Sequence, residues 1–229
     1  MDPQSISIAN VVRSELINLD GVAKFSPNRR FATVYSEGSP LDSLFFLESG
    51  LVKIYKRGDD SKEIILQIIA AGELFGEQAL GNEPSRSIAA EVLQEGVIYV
   101  IPKDIFLRGC EEHPELWREI SSLLTARKRQ LEKKIELLCL RDVEYRILYY
   151  MADLARMFGA RSNGAEYSIP LSQGELASLI GATRETTSTT LNNLARKGVI
   201  RLGRRQLIVP SIDGVLEAAN RRSQAAKVS

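Results

Sequence analysis

The sequence predicts an α+β protein in three parts: an N-terminal antiparallel β jelly roll, a single long helix, and a small C-terminal domain of helices with a strand pair. Three observations carry this reading. Short apolar or alternating runs separated by glycines fill the stretch from Phe31 to Pro102. A stripe of large apolar residues at three- and four-residue steps runs from about Pro114 to Leu140. After Asp142 a Ser-x-x-Glu capping box, a glycine turn, a polar-faced second helix and a basic hairpin follow in order.

The predicted strands include Phe31–Tyr35, Leu44–Leu47, Leu51–Tyr55, Ile64–Ile69 and Val97–Ile101, and Gly38, Gly50, Gly58, Gly72, Gly81 and Gly96 are expected at turns between them. The helix that follows is about 40 Å long by its rise per residue, longer than the roll it leaves. Its stripe, including Trp117, Ile120, Leu124, Leu131, Ile135 and Leu138, is near heptad spacing and breaks at Arg127-Lys128-Arg129. A second copy of the chain is expected to cover it, making those six residues a dimer interface. The expected boundaries are 1–112 for the roll, 113–141 for the helix and 142–229 for the last domain. A Gly-rich loop is expected through Gly159, Asn163 and Gly164.

Composition narrows the chemistry. The 229 residues are 44% hydrophobic and 26% charged, the range of a folded chain. Two cysteines and a single histidine, His113, cannot supply a disulfide framework, an iron–sulfur cluster, a zinc site or a histidine cage, so no metal or haem is expected, and no enzyme built on one. Cys110 and Cys139 are read as buried small side chains. The start, Met1-Asp2-Pro3-Gln4, lacks a basic region with an apolar core behind it, and no apolar run reaches the ~18 residues that span a bilayer, so a cytoplasmic protein is expected. The net charge of +1 hides an asymmetry: −6 over residues 1–112, +2 over 113–140 and +5 over 141–229. Only the C-terminal part is suited to approach a polyanion.

Ser172 with Glu175 starts one short helix, Gly181 ends it, and Thr183 caps the next, which is the helix-turn-helix pattern. On the second helix Thr187, Thr190, Leu191 and Leu194 share a packing face, leaving Glu185, Ser188, Thr189, Asn192 and Arg196 outward with Arg184 on the flank. Such a face can enter a major groove. An arginine at 184 can bridge guanine O6 and N7, and Glu185 can accept from a cytosine amine. Gln173, Thr183, Arg184, Glu185, Ser188, Thr189 and Asn192 are therefore the expected DNA contacts. Arg201, Arg204 and Arg205, on a hairpin from Val199 to Val209, are expected to grip the phosphate backbone.

The densest polar constellation in the roll is Phe75-Gly76-Glu77-Gln78-Ala79-Leu80 with Ser85-Arg86-Ser87. Gly76 permits close backbone approach, a short helix near Glu77 would present amides to an anion, Arg86 could fork onto a phosphate, and Ser87 could donate a hydroxyl. Glu77 could accept from a ribose hydroxyl; the alternative is a Glu77–Arg86 ion pair bracing the loop.

Taken together, the roll, the Gly-Glu…Arg-Ser cassette, the long helix and Gly181-Ala182-Thr183-Arg184-Glu185-Thr186 resemble the cyclic AMP receptor protein and fumarate/nitrate regulator (CRP/FNR) family of bacterial transcription factors. The resemblance covers nearly the whole chain. It implies a cyclic-nucleotide-binding-type roll, a winged helix-turn-helix domain, a homodimer on a palindromic DNA operator, contact with RNA polymerase, and an effector bound by Gly76, Glu77, Gln78, Arg86, Ser87 and Arg127. Where members similar to the cyclic AMP receptor hold adenine with a Thr-Ser pair, this chain has Leu131 and Glu132; Thr189 stands at the place of a second arginine, and Ile88 follows Arg-Ser. Cyclic AMP, cyclic GMP, another effector or none at all are the open alternatives for the roll.

Overall fold

The structure is a computed structural model and describes residues 8–27, 29–59, 62–158, 160–162 and 166–225. The chain divides into two compact units, residues 1–56 with 66–131 and residues 57–65 with 132–229. The expected loop at Gly159, Asn163 and Gly164 lies outside the described residues. Among the described residues no helix is long and apolar enough to cross a membrane.

The first unit opens with α1 (Ile8–Val11), which runs into a π-helical turn over Val12–Leu16. Six strands follow: β1 (Ala23–Phe25), β2 (Thr33–Tyr35), β3 (Ser43–Arg57), β4 (Glu63–Ile69), β5 (Glu73–Phe75) and β6 (Ala89–Pro102). Between the last two, Glu77–Leu80 form one turn of 3₁₀ helix. The sheet path is β1-β6-β3-β4, with β2 added to β6 and β5 to β3. Then come α2 (Lys103–Glu112) and α3 (Glu115–Leu140); residues 57–65, at the end of β3 and the start of β4, and α3 from residue 132 on count with the second unit.

Two of the expected turns are not turns. Leu44–Leu47 and Leu51–Tyr55 belong to one 15-residue strand, β3, and Val97–Ile101 is the second half of β6. Gly50 and Gly96 sit where the β3–β6 register shifts. A Cβ at Gly50 (φ 95°) would stand 2.6 Å from the Gln94 carbonyl oxygen, and one at Gly96 only 1.9 Å from that of Ser49. Both glycines let long strands bend at bulges and curl the sheet.

One face of that sheet encloses Tyr35, Phe45, Leu47, Ile54, Phe75 and Ile98. A second cluster joins Leu16, Leu44, Phe46, Leu74, Phe106, Leu116 and Ile120, so α1, α2 and the first turns of α3 close the other side. Each fully buried Leu, Ile or Phe contributes about 1.5–3 kcal/mol relative to exposure, which is what holds α3 to this unit.

The second unit contains α4 (Val143–Phe158), β7 (Ala160–Ser162), β8 (Glu166–Ile169), α5 (Gln173–Ile180), α6 (Arg184–Arg196), β9 (Arg201–Gly203), β10 (Gln206–Val209) and α7 (Ile212–Ala225). The expected hairpin β9–β10 forms with Arg204 and Arg205 at its turn, Arg205 in the left-handed region at φ 57°. It is part of a four-stranded sheet in the order β7-β8-β10-β9. The strands β7 and β8 are too short, and too close to the glycine-rich stretch, to announce themselves by alternation.

Candidate nucleic-acid interface and regulatory cassette

The helix pair α5–α6 is built by local hydrogen-bond chemistry. Ser172 Oγ accepts from Glu175 N–H at 3.2 Å while the Glu175 carboxylate accepts from Ser172 N–H at 2.6 Å, the full capping box. Gly181 ends α5 at φ 63°, its N–H reaching the Ala177 carbonyl. Thr183 Oγ1 then accepts from Thr186 N–H at 3.2 Å and starts α6. Thr187, Leu191 and Leu194 are buried. Arg184, Glu185, Thr189, Asn192 and Arg196 are exposed and Ser188 half-buried. The outward face is the expected one.

Gln173, the first residue of α5, lines a groove with Leu171, Ser172, Gly203, Arg205 and Gln206. This groove joins the start of α5 to the β9–β10 turn, with Gln173 and Arg205 both on its lining. Arg184 lies back over α5: a Cβ at Gly174 would stand 3.2 Å from its Nε. Arg201 is committed elsewhere, to the Glu166 carboxylate.

In the cassette, Gly76 has φ 78°, and a Cβ there would come within 2.8 Å of the Phe45 ring and 3.2 Å of Arg86 Nη1. Arg86 is only 2% exposed. Its guanidinium lies 4.3 Å from the Tyr35 ring centre and 5.1 Å from that of Phe45, with Nη2 donating to the Ser43 carbonyl at 2.6 Å and Nη1 to that of Gly76 at 3.4 Å. Burial lowers its pKa from the ordinary value. The alternative Glu77–Arg86 ion pair is not found among the described residues. Glu77 is paired with Arg127 of α3, whose Nη2 also donates to the Leu74 carbonyl at 2.5 Å. Gln78 Nε2 donates to Ser87 Oγ at 2.7 Å. The Tyr35 phenol is pushed up by burial and then by the Glu77 carboxylate.

Two interleaved stripes, rather than one broken stripe, pattern α3. The inner stripe steps through Leu116, Ile120, Leu123, Arg127, Gln130, Lys134 and Leu137 by threes and fours, and Arg127 and Lys134 are its buried cations. Arg127 is therefore not an interruption but a member of the packing face. The outer stripe has Trp117, Leu124 and Leu131 seven residues apart, each 46% exposed, joined by Ile135 at 61%. Ile120, expected on the dimer face, is 3% exposed and belongs to the core of its own unit, because the helix turns it inward. Leu138 is half-buried, and its Cδ2 would stand 2.7 Å from a Cβ at Gly181, so it too serves its own chain. Cys110 is buried as expected, whereas Cys139 is exposed, since it falls on the solvent side near the helix end.

Comparison with known proteins agrees with this geometry. Residues 28–113 match the cyclic nucleotide-binding domain and residues 145–218 the Crp-like helix-turn-helix domain. The CRP-like cAMP-activated global transcriptional regulator of Mycobacterium tuberculosis is 31% identical over 178 residues, 77% of this chain and 80% of its own length. The chain belongs to the CRP/FNR family of transcription regulators. Among solved structures, TTHB099, a CRP-family transcriptional regulator from Thermus thermophilus, is 26% identical and aligns with a TM-score of 0.73 over 86% of this chain and 96% of its own. FixK2 from Bradyrhizobium japonicum shares the fold, with a TM-score of 0.75 at 21% identity over 86% of this chain and 96% of its own.

In this CRP/FNR chain the sequence pattern did not reveal what covers the end of α5. The carbonyl end of α5 is covered by two cations: Lys134 Nζ of α3 donates to the Leu179 carbonyl, and Arg146 Nη1 of α4 donates to that of Ile180 at 2.7 Å. Lys134 is 5% exposed, and its ammonium lies 5.4 Å from the Tyr150 ring centre. The available signal was positional: Lys134 continues the inner stripe of α3 three residues before Leu137.

Proposed function

We propose that this chain is a homodimeric, sequence-specific DNA-binding regulator that lowers α6, residues 184–196, into successive major grooves of a palindromic operator. The observation that carries the reading is the exposed polar face of α6, Arg184, Glu185, Thr189 and Asn192, on a helix pair fixed by a full capping box. Arg184 reads guanine and Glu185 cytosine, Ser188, Thr189 and Asn192 touch base edges or phosphate, and Gln173, Thr183, Arg204 and Arg205 hold the backbone. The division of labour is residues 1–112 for the roll, 113–141 for the helix and 142–229 for the DNA-reading domain. Trp117, Leu124, Leu131 and Ile135 form the seam between two copies, the steps of seven and then four residues suiting paired helices. The assembly works in the cytoplasm with RNA polymerase as its second partner and has no catalytic residues. Mixing the purified chain with a two-fold symmetric duplex and weighing the complex by light scattering tests this: two chains per duplex are expected, and one chain per duplex contradicts it.

For the roll, two readings compete. In the first, a cyclic nucleotide such as cyclic AMP or cyclic GMP bridges Gly76, Glu77, Gln78, Arg86, Ser87 and Arg127, as the name of the Mycobacterium tuberculosis relative suggests. In the second, the roll is a dimerisation platform with no small-molecule effector. Arg86 favours the second: each terminal nitrogen already donates to a backbone carbonyl, Nη1 to Gly76 and Nη2 to Ser43, and the guanidinium lies against two rings. Calorimetry with both nucleotides separates them. No heat is expected from the platform, and saturation at one ligand per subunit restores the first reading.

A further inference from the structure

We infer that Lys134 is a positioning residue for DNA recognition: by holding the carbonyl end of α5 from the last turns of α3, it fixes the helix-turn-helix on that end of the helix. The inference rests on the DNA-binding reading above.

Four contacts make this joint. Lys134 Nζ donates to the Leu179 carbonyl in the last turn of α5. One helical turn further along α3, Leu138 packs where a Cβ at Gly181 would stand 2.7 Å from its Cδ2, so the turn between α5 and α6 accepts only glycine there on two grounds, φ 63° and this leucine. From α4, Arg146 Nη1 takes the Ile180 carbonyl at 2.7 Å and the Gly181 carbonyl at 3.5 Å. Tyr150 of α4 receives the Lys134 ammonium against its ring. The last carbonyls of a helix have no partner inside it and carry partial negative charge, so two cations there are favourable and directional. A displaced Lys134 frees the helix end that leads into α6.

The charged groups facing Lys134 are Arg146 from α4, with the Tyr150 phenol beside it and the Leu179 carbonyl from α5; no carboxylate pairs with it among the described residues. Burial, followed by the Arg146 charge, holds its ammonium down at about 8. Burial and the Arg146 charge together outweigh the pull of the helix-end carbonyls on the ammonium, and the neutral amine still keeps an N–H for Leu179. Operator binding that selects this docked arrangement over one with Lys134 in solvent tightens as pH passes upward through 8, since the docked form binds fewer protons than the free one. Ordinary loss of cationic charge would lower DNA affinity over the same range, so the sign alone distinguishes the two.

The test is operator affinity by fluorescence anisotropy from pH 7 to pH 9, for wild type, Lys134→Arg and Lys134→Met, on a symmetric duplex. Wild type is expected to tighten by up to about tenfold across the range. Lys134→Arg, which keeps a donor and its charge throughout, is expected to match wild type at pH 7 and to show no rise. Lys134→Met, with no donor for Leu179, is expected to bind about tenfold more weakly at every pH. A wild-type profile identical to that of Lys134→Arg, or Lys134→Met binding as tightly as wild type at pH 9, overturns the inference. Wild type binding no symmetric duplex at any pH overturns the DNA-binding reading instead.

Discussion

Replacing Arg86 separates a residue kept for the fold from one kept for a ligand. In the structure the guanidinium is 2% exposed, with a charge-assisted hydrogen bond to Ser43 O at 2.6 Å, a longer one to Gly76 O, and stacking on Tyr35 and Phe45. The hydrogen bonds to a charged donor contribute about 1.5–3 kcal/mol and the two ring contacts about 1 kcal/mol each. Burying the charge costs several kcal/mol in return, which is why its pKa is lowered. Arg86→Ala removes every favourable contact, deprives the Ser43 carbonyl of this donor, leaves that of Gly76 with the Ala79 N–H, and opens a cavity beside the rings. Arg86→Met refills most of that volume and deletes the buried charge. The expected destabilisation is about 3 kcal/mol for alanine and about 1 kcal/mol for methionine. Urea unfolding followed by circular dichroism and by the fluorescence of Trp117, the single tryptophan, measures both. An alanine variant within about 0.5 kcal/mol of wild type refutes the reasoning and returns Arg86 to service as a ligand group.

The outer stripe of α3 gives a second prediction. Leu124→Glu places a charge twice in a two-fold seam and is expected to yield monomers by sedimentation with operator binding lost, while a dimer of undiminished strength contradicts the seam. On α6, Glu185→Ala is expected to relax discrimination at one base pair per half-site by about 1–3 kcal/mol in competition binding; equal loss on every sequence marks it as a folding residue. Arg205→Ala is expected to weaken all duplexes alike and reduce the salt slope by about 1, and an unchanged slope removes the hairpin from the interface. Stability should also respond to pH. With Lys134 held at about 8 in the folded chain against an ordinary 10.5, the unfolded chain binds more protons between those values, so stability rises with pH across that window by at most about 3 kcal/mol. Lys134→Met should abolish that rise in thermal melts, and a slope surviving in the variant assigns it elsewhere.

The α5–α6 pair was legible because its signals are local: Ser172 and Glu175 are three residues apart, and Thr183 caps the helix it begins. The roll was legible in kind but not in detail. Gly50 and Gly96 carry the same letter as a turn glycine, and only their meeting across β3 and β6 shows that each admits the other strand. Arg86 lay beyond local reading for the same reason, since its acceptor on Ser43 is 43 residues away. On α3 the spacing held both stripes, yet apolar letters alone drew them as one. Counting Arg127 and Lys134 with the inner face separates them, and places Ile120 inside. Nothing near Glu77 in sequence identified Arg127, rather than Arg86, as its partner.

In the proposed assembly two copies, joined along α3, present two α6 helices to one duplex. Selection of bound sequences from random duplex DNA by the purified wild-type chain tests it most directly. The expected product is an inverted repeat whose half-sites lie about 34 Å, one helical turn, apart centre to centre. Enrichment of a single unrepeated motif, or of no motif at all, would contradict it.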